Sequence, residues 1–322
     1  MQLVINSYGS FLQKEGDCFK VKTDDKVFQI SYRKVSSILI ATAAYITTDA
    51  IKMAMENNID IIFLDEFGQP YARIWYPKLG STSLIRRKQL EYGNIEKGFE
   101  MAKEWVLQKI KNQLDFLQRL KKPRKDKEMQ LTAFINAIEE IRDKLISLSG
   151  TLDEKRSSLM AYEGACGRIY FDALSFIMPE RFKFQGRSRN PAKDEFNAML
   201  NYSYGILYSL VEKSCIIAGL DPYIGFLHTD NYNKKSLVFD IIEIFRIFAE
   251  ETVVYLFTGR KVKIEYFDKV KSGLTLNKEG RALLIEAMNN HLDEKIRYKR
   301  RNIQRRNIIQ MECHSIANSL IN

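Results

Sequence analysis

At 322 residues, with 45% hydrophobic and 28% charged residues, the chain is long enough to bury the cores of two domains, and this composition excludes pervasive disorder. The formal net charge is +10, but residues 1–80 hold nine Lys plus Arg against nine Asp plus Glu. The cationic excess therefore lies in 81–322, and only that part is built to meet a polyanion. No stretch approaches the ~20 apolar residues of a membrane span, and the start Met1-Gln2-Leu3-Val4-Ile5 has no signal-peptide pattern. Cys18, Cys166, Cys215 and Cys313 form no CxxC pair. The expectation is a cytoplasmic protein with no membrane partner, zinc site or disulfide framework, its cysteines serving as packing residues.

Residues 1–80 read as β-rich. Leu3-Val4-Ile5, Phe19–Lys22 and Val27–Ser31 alternate apolar and polar residues, separated by the turn material Ser7–Ser10, Glu15–Asp17 and Thr23–Asp25. Ser36–Ala41 and Ile59–Leu64 are continuous apolar runs, as expected of fully buried strands, and Thr48-Asp49 predicts a helix start running to about Asn57. Around Lys78-Leu79-Gly80-Ser81-Thr82-Ser83 the pattern changes, and most segments to about residue 310 carry helical periodicity. The predicted class is α+β: an N-terminal, mainly β, sandwich-like domain with a helix (1–80), a linker (81–94) and a mainly helical domain with a basic tail (95–322).

Three segments carry chemistry. In Ser157–Tyr170, a helix would give Glu163 the face-mates Leu159, Met160, Cys166, Gly167 and Tyr170. A carboxylate on so apolar a face must be paired, protonated or metal-bound; the plainer alternative is a half-exposed glutamate at a helix seam, meeting Arg156. Gly164 and Gly167 each cost the helix about 1 kcal/mol and suit close approach of a bulky group. His228 follows a helix end at Gly219, a turn at Asp221-Pro222 and the short apolar segment Gly225-Phe226-Leu227; a satisfied core histidine competes with a ligand there. In Ser236–Phe248, Asp240, Glu243 and Arg246, with Glu250 beyond, share one face of an otherwise apolar helix. That face is either a solvent stripe with a Glu243–Arg246 pair or the lining of a cleft. Two carboxylates and an imidazole together suit Mn²⁺, and Mg²⁺ less tightly.

The ordered set Glu163-Gly164 with Tyr170, Arg187-Ser188-Arg189-Asn190-Pro191, Asn197–Tyr204, Gly219–Pro222 with Gly225–His228, and Ser236–Glu243 with Phe245-Arg246 resembles the CRISPR spacer-integrase family, the larger of the two universal CRISPR adaptation proteins. The resemblance implies a catalytic Mg²⁺ or Mn²⁺ site made by Glu163, His228 and Glu243, with Asp240 as a supporting or alternative ligand. Many relatives appear with aspartate at the place of Glu243, which leaves open which of Asp240 and Glu243 binds directly. It also implies a homodimer built through the β domains, and assembly with a small ferredoxin-like CRISPR adaptation protein. The reaction implied is splicing of double-stranded DNA with 3′-hydroxyl ends into CRISPR repeat DNA.

Two basic clusters suit that substrate. Lys295–Arg306 has seven cations in twelve residues and no acid, and Arg181–Arg189 interleaves cations with Phe182 and Phe184 that could stack on splayed bases. Expected DNA contacts are Arg297, Lys299 and Arg300, together with the motif residues Tyr170, Arg187, Asn197, Tyr204 and Arg246. A solvated helix face or flexible tail is the plainer account of the first cluster. Competing functions are a non-catalytic nucleic-acid-binding protein, which would not bind Mn²⁺, and a metal-dependent ribonuclease, which would prefer RNA.

Overall fold

A computed structural model describes residues 1–57, 59–68, 70–74, 83–93, 95–189, 191–228, 234–271 and 273–321. The N-terminal strands are β1 (Gln2–Ile5), β2 (Ser10–Glu15), β3 (Cys18–Lys22), β4 (Val27–Ser31), β5 (Ser37–Ile40) and β6 (Ala44–Ile46), then helix α1 (Thr48–Glu56), β7 (Asp60–Leu64) and β8 (Pro70–Ile74). They form two four-stranded sheets, β1-β5-β7-β8 and β4-β3-β2-β6. In the first, β1, β5 and β7 run parallel and β8 antiparallel; in the second, β2, β3 and β4 run antiparallel and β6 parallel to β2. The β2–β3 turn uses Gly16 at φ +59, a backbone region glycine enters without steric cost.

The period-two alternation of these strands divides their side chains between two cores. Leu12, Phe19, Val21, Leu3, Ile5, Ile38, Ile40 and Ile61 form a small core with Ala50, Met53 and Ala54 of α1. Leu39, Ile62 and Leu64, from the other face of the first sheet, join the core of the helical half. β5 is therefore buried along its whole length, which is why Ser37–Ile40 reads as an unbroken apolar run rather than an alternating one.

The segment expected to be a linker carries a helix, α2 (Ser83–Tyr92); Lys78 to Thr82, where the sequence pattern changes, lie outside the described residues. Next come α3 (Glu96–Lys121), α4 (Glu128–Ile146), α5 (Leu152–Ile177), α6 (Glu195–Ala218) and α7 (Ser236–Thr258). The chain continues through the hairpin β9 (Phe267–Val270)–β10 (Gly273–Leu276), α8 (Lys278–Asp293), the hairpin β11 (Lys295–Tyr298)–β12 (Arg301–Gln304) and α9 (Arg305–Ile321). Helix α6 is capped by the Asp194 carboxylate at the Asn197 amide, 2.8 Å, and ends at Gly219 in the left-handed region, φ +84. α7 packs against both α3 and α6, and both α6 and α7 are buried nearly all round.

Buried charges lock the first sheet to this bundle. Arg73 of β8 donates to the Ser209 carbonyl at 2.6 Å and pairs with Glu212 of α6 at 3.3 Å, while Lys213 reaches Asp60 at 2.6 Å. Lys235, just before α7, closes the chain of charges on Glu212 at 2.6 Å. Among the described residues no helix is long and apolar enough to cross a membrane.

Candidate active site

Asp240 of α7 is fully buried, and an unpartnered carboxylate there would be very costly. The loop before α7 supplies its partners. The amides of Phe226 and Leu227 donate to Oδ2 at 2.6 and 3.1 Å, the amide of His228 donates to Oδ1 at 2.9 Å, and His228 Nδ1 lies 2.6 Å from the same oxygen. Only glycine allows the loop to come so close: a Cβ on Gly225 would stand 2.6 Å from Ser236 Cβ and 3.0 Å from Asp240 Oδ2. The loop is also held from outside. Gln89 of α2 donates to the carbonyls of Asp221 and Ile224 and accepts from the Asp221 amide at 2.9 Å, and Arg156 donates to the Phe226 carbonyl at 3.2 Å. The His228 ring is thus fixed through Nδ1, which leaves Nε2 as the nitrogen available for other chemistry.

Glu163 of α5 and Glu243 of α7 meet at one cation. The ammonium of Lys109, from α3, pairs with Glu163 Oε1 and with Glu243 Oε2, the latter at 2.5 Å. Arg156, the partner of Glu163 in the plainer alternative, is instead occupied with the His228 loop. Glu243 Oε1 accepts from Arg246 Nε at 2.8 Å. Burial opposes ionisation of Glu243, but Arg246 and Lys109 outweigh it and hold its pKa down at about 2. Burial likewise works against the Lys109 ammonium, yet Glu243 and Glu163 hold its pKa above the ordinary lysine value. Beside Glu163, a Cβ on Gly167 would meet nothing within 4 Å, and one on Gly164 would meet only Arg168 Nη1 at 3.8 Å. These glycines answer no packing demand and leave that face of α5 open.

Behind this pair lies a polar network the sequence left unassembled. Tyr170 and Tyr204 donate to the two oxygens of buried Glu250, at 2.9 and 2.7 Å. Burial pushes the Glu250 carboxyl and both tyrosine hydroxyls up. Arg246 and Arg187 stack on the Tyr204 ring at 4.6 and 5.4 Å. Arg187 also donates to Asn201 at 2.8 Å and to Asn197. Tyr170, Asn197 and Tyr204, expected to contact DNA, instead have buried side chains whose polar groups are taken by partners inside the protein. Arg187 and Arg246 are tied into the same network. Asn190 lies outside the described residues.

The first basic cluster is neither a helix face nor a tail but the β11–β12 hairpin, with Lys299 and Arg300 turning at φ 44 and 67. Arg297, Lys299 and Arg300 are exposed. Counter-charges do exist: Lys299 pairs with Glu312 at 2.5 Å, Arg305 with Glu294 at 2.5 Å and Arg306 with Asp293 at 2.6 Å. In the second cluster the aromatics face inward. Phe184 stacks on Phe196 with centroids 4.1 Å apart, and Phe182 lies 5.0 Å from Phe257, so neither is free to stack on a base.

Among the described residues no three His, Cys, Asp or Glu side chains stand together at metal-binding spacing. Glu163 and Glu243 are together, and His228 is joined to α7 through Asp240. The donor set still suits a hard divalent cation: two carboxylates from different helices already share one cation, and buried Glu243 Oε2 has no hydrogen bond besides that ion pair. Asp240, its oxygens filled by the loop amides and the imidazole, is placed to orient rather than to ligate. A cavity of about 460 Å³, lined by Trp105, Phe248, Ile296 and Tyr298 among others, contains none of these groups.

The architecture is that of an α+β protein with a strand-rich N-terminal part and a mostly helical remainder, its acidic residues gathered where three helices meet. The family described as CRISPR associated protein Cas1 matches residues 3–290, and the chain belongs to that family. It is 34% identical over 330 residues to the CRISPR-associated endonuclease Cas1 1 of Archaeoglobus fulgidus, covering 98% of this chain and 95% of the relative. A Cas1 structure from Thermotoga maritima is similar at TM-score 0.82 and 25% identity, covering 100% of this chain and 97% of that one. A casposase bound to its integration product shares the fold at TM-score 0.82 and 20% identity, with 99% and 90% covered.

Proposed function

We propose that this chain is a divalent-metal-dependent DNA endonuclease and integrase of CRISPR adaptation. In this reading it joins double-stranded DNA fragments to the CRISPR repeat, as a homodimer working with a small ferredoxin-like adaptation protein. The observation that carries the reading is the meeting of Glu163 and Glu243 on the Lys109 ammonium, with His228 tied to the same helix α7 through Asp240. Membership of the Cas1 family, and 34% identity to a relative named an endonuclease, support it.

Glu163, Glu243 and His228 Nε2 would hold Mg²⁺ or Mn²⁺. A cation bound there would act as a Lewis acid toward a phosphoryl oxygen and offset charge developing on it. The protein's own part is positioning. Asp240 keeps the imidazole in one orientation, and Arg246 keeps Glu243 ionised and pointed at the cation. The exposed Arg297 and Arg300 of the hairpin hold phosphates without reading sequence. In strand transfer, the DNA 3′-oxygen forms a new P–O bond at the repeat boundary as the bridging P–O bond there breaks. The proton lost by the attacking hydroxyl is balanced by one gained on the leaving oxygen. With water as the nucleophile the same exchange is hydrolysis.

The test is strand transfer of a 3′-hydroxyl duplex into a repeat-bearing plasmid, in Mn²⁺ and in Mg²⁺, with the small partner protein present. Metal-dependent transfer lost in His228→Ala is the expected result. Equal activity in both proteins would remove His228 from the site. The Lys109 bridge also suits a purely structural acidic cluster in a non-catalytic DNA-binding protein, and inactivity of the wild type with its partner would favour that reading.

A further inference from the structure

Lys109 is an unusual residue to find on the buried stripe of α3. Val106, Ile110, Leu114 and Leu117 of the same helix pack into the core, and the Lys109 side chain is itself nearly excluded from solvent. Its ammonium is not snorkelling to the surface but is directed at Glu163 and Glu243. No other cation bridges these two carboxylates among the described residues; Arg246 reaches only Glu243. Without Lys109, half-buried Glu163 and buried Glu243, from different helices, would face one another with a single cation, Arg246, on the Glu243 side.

We propose that Lys109 is the site's resident counter-cation: its ammonium ties Glu163 to Glu243 when no metal is present, and an incoming divalent ion must displace it, so that Lys109 sets the site's metal affinity by competition. The inference rests on the proposed metal site. A divalent ion between the same oxygens is a like charge to the ammonium, and the two cannot occupy the gap together. The flexible four-carbon stem allows the head to leave while the helix stays packed. The bridge thus makes the metal-free fold self-sufficient and keeps affinity below what two bare carboxylates would give.

The test compares wild type, Lys109→Met, Lys109→Gln and His228→Ala. Each is titrated with Mn²⁺, free Mn²⁺ being followed by electron paramagnetic resonance, and melted in EDTA and in Mn²⁺. Lys109→Met is expected to bind Mn²⁺ at least tenfold more tightly than wild type. It is also expected to melt lower in EDTA and to regain more of its melting temperature when Mn²⁺ is added. Should Met at this position prevent folding in EDTA, Lys109→Gln, which keeps neutral donors between the glutamates, is read by the same criteria. Unchanged or weaker Mn²⁺ binding in these variants, with wild-type binding lost in His228→Ala, would overturn the role of Lys109 and leave the metal site standing. No Mn²⁺ binding by any of the proteins would overturn both.

Discussion

Replacing Asp240 by asparagine separates an orienting residue from a ligand. Asp240 is buried and takes four contacts: Phe226 N and Leu227 N on one oxygen, His228 N and Nδ1 on the other. An asparagine can satisfy the donors on one side only, and its NH₂ group then faces two donors on the other. Two charge-assisted hydrogen bonds are lost, at about 1.5–3 kcal/mol each, offset in part because a charge no longer has to be buried. The net loss is about 2–4 kcal/mol, a fall in Tm of roughly 3–6 °C for a chain of this size. With its ring no longer anchored, His228 should bind Mn²⁺ about 10–100-fold more weakly, the usual cost of removing an orienting partner. Calorimetry in EDTA and Mn²⁺ titration measure the two effects. A Tm within about 1 °C of wild type would refute the anchoring argument. Unchanged stability with Mn²⁺ binding abolished would make Asp240 a direct ligand.

Other changes follow from the same geometry. Glu243 has a folded pKa of about 2 against an ordinary 4.5, so its share of stability is complete above about 4.5 and is lost as pH falls through about 2. Glu243→Gln should therefore lose less stability than wild type between pH 6 and pH 3 in urea melts; parallel curves would count against the buried pair. Gly225→Ala places a methyl 2.6 Å from Ser236 Cβ and should cost about 1–3 kcal/mol, with weaker Mn²⁺ binding, whereas a silent substitution would mean the loop has slack. Arg297→Ala with Arg300→Ala should weaken DNA binding and flatten its log–log salt dependence by up to about 1.8, near 0.9 per phosphate contact. Lys299→Ala should do less, because Glu312 already partners that lysine.

Much of this was legible in the sequence, for identifiable reasons. The apolar runs at Ser36–Ala41 and Ile59–Leu64 announce the buried strands observed at Ser37–Ile40 and Asp60–Leu64, and Gly219 and Asp221 mark the helix end before His228. β6 and β8 escape because they are short and half-exposed. The basic hairpin escapes because Lys299-Arg300 turns without the Asn or Gly that normally signals positive φ. At the site, Glu163 and Glu243 stand out as acids on apolar helices. Their shared partner does not, although Lys109 lies three residues after Val106 on the apolar stripe of α3, a signal that was available. The burial of Tyr170, Tyr204 and Asn197 was not readable, because hydroxyl and amide groups look the same in sequence whether they face solvent or a buried Glu250.

β5 bears on how the molecule can be divided. Ile38 and Ile40 serve the small core while Leu39, between them, serves the large one, and Arg73 reaches across the same seam to Ser209 and Glu212. A chain begun at residue 83 would present the bundle with a bare apolar wall, would strand Lys213 without Asp60 and would leave Glu212 with Lys235 alone. A chain ended at 74 would leave the other side of that wall open to self-association. The two parts are separable on a topology diagram, yet the shared strand predicts that they unfold together: calorimetry should show a single transition, and trimming either part should yield aggregate rather than a working half.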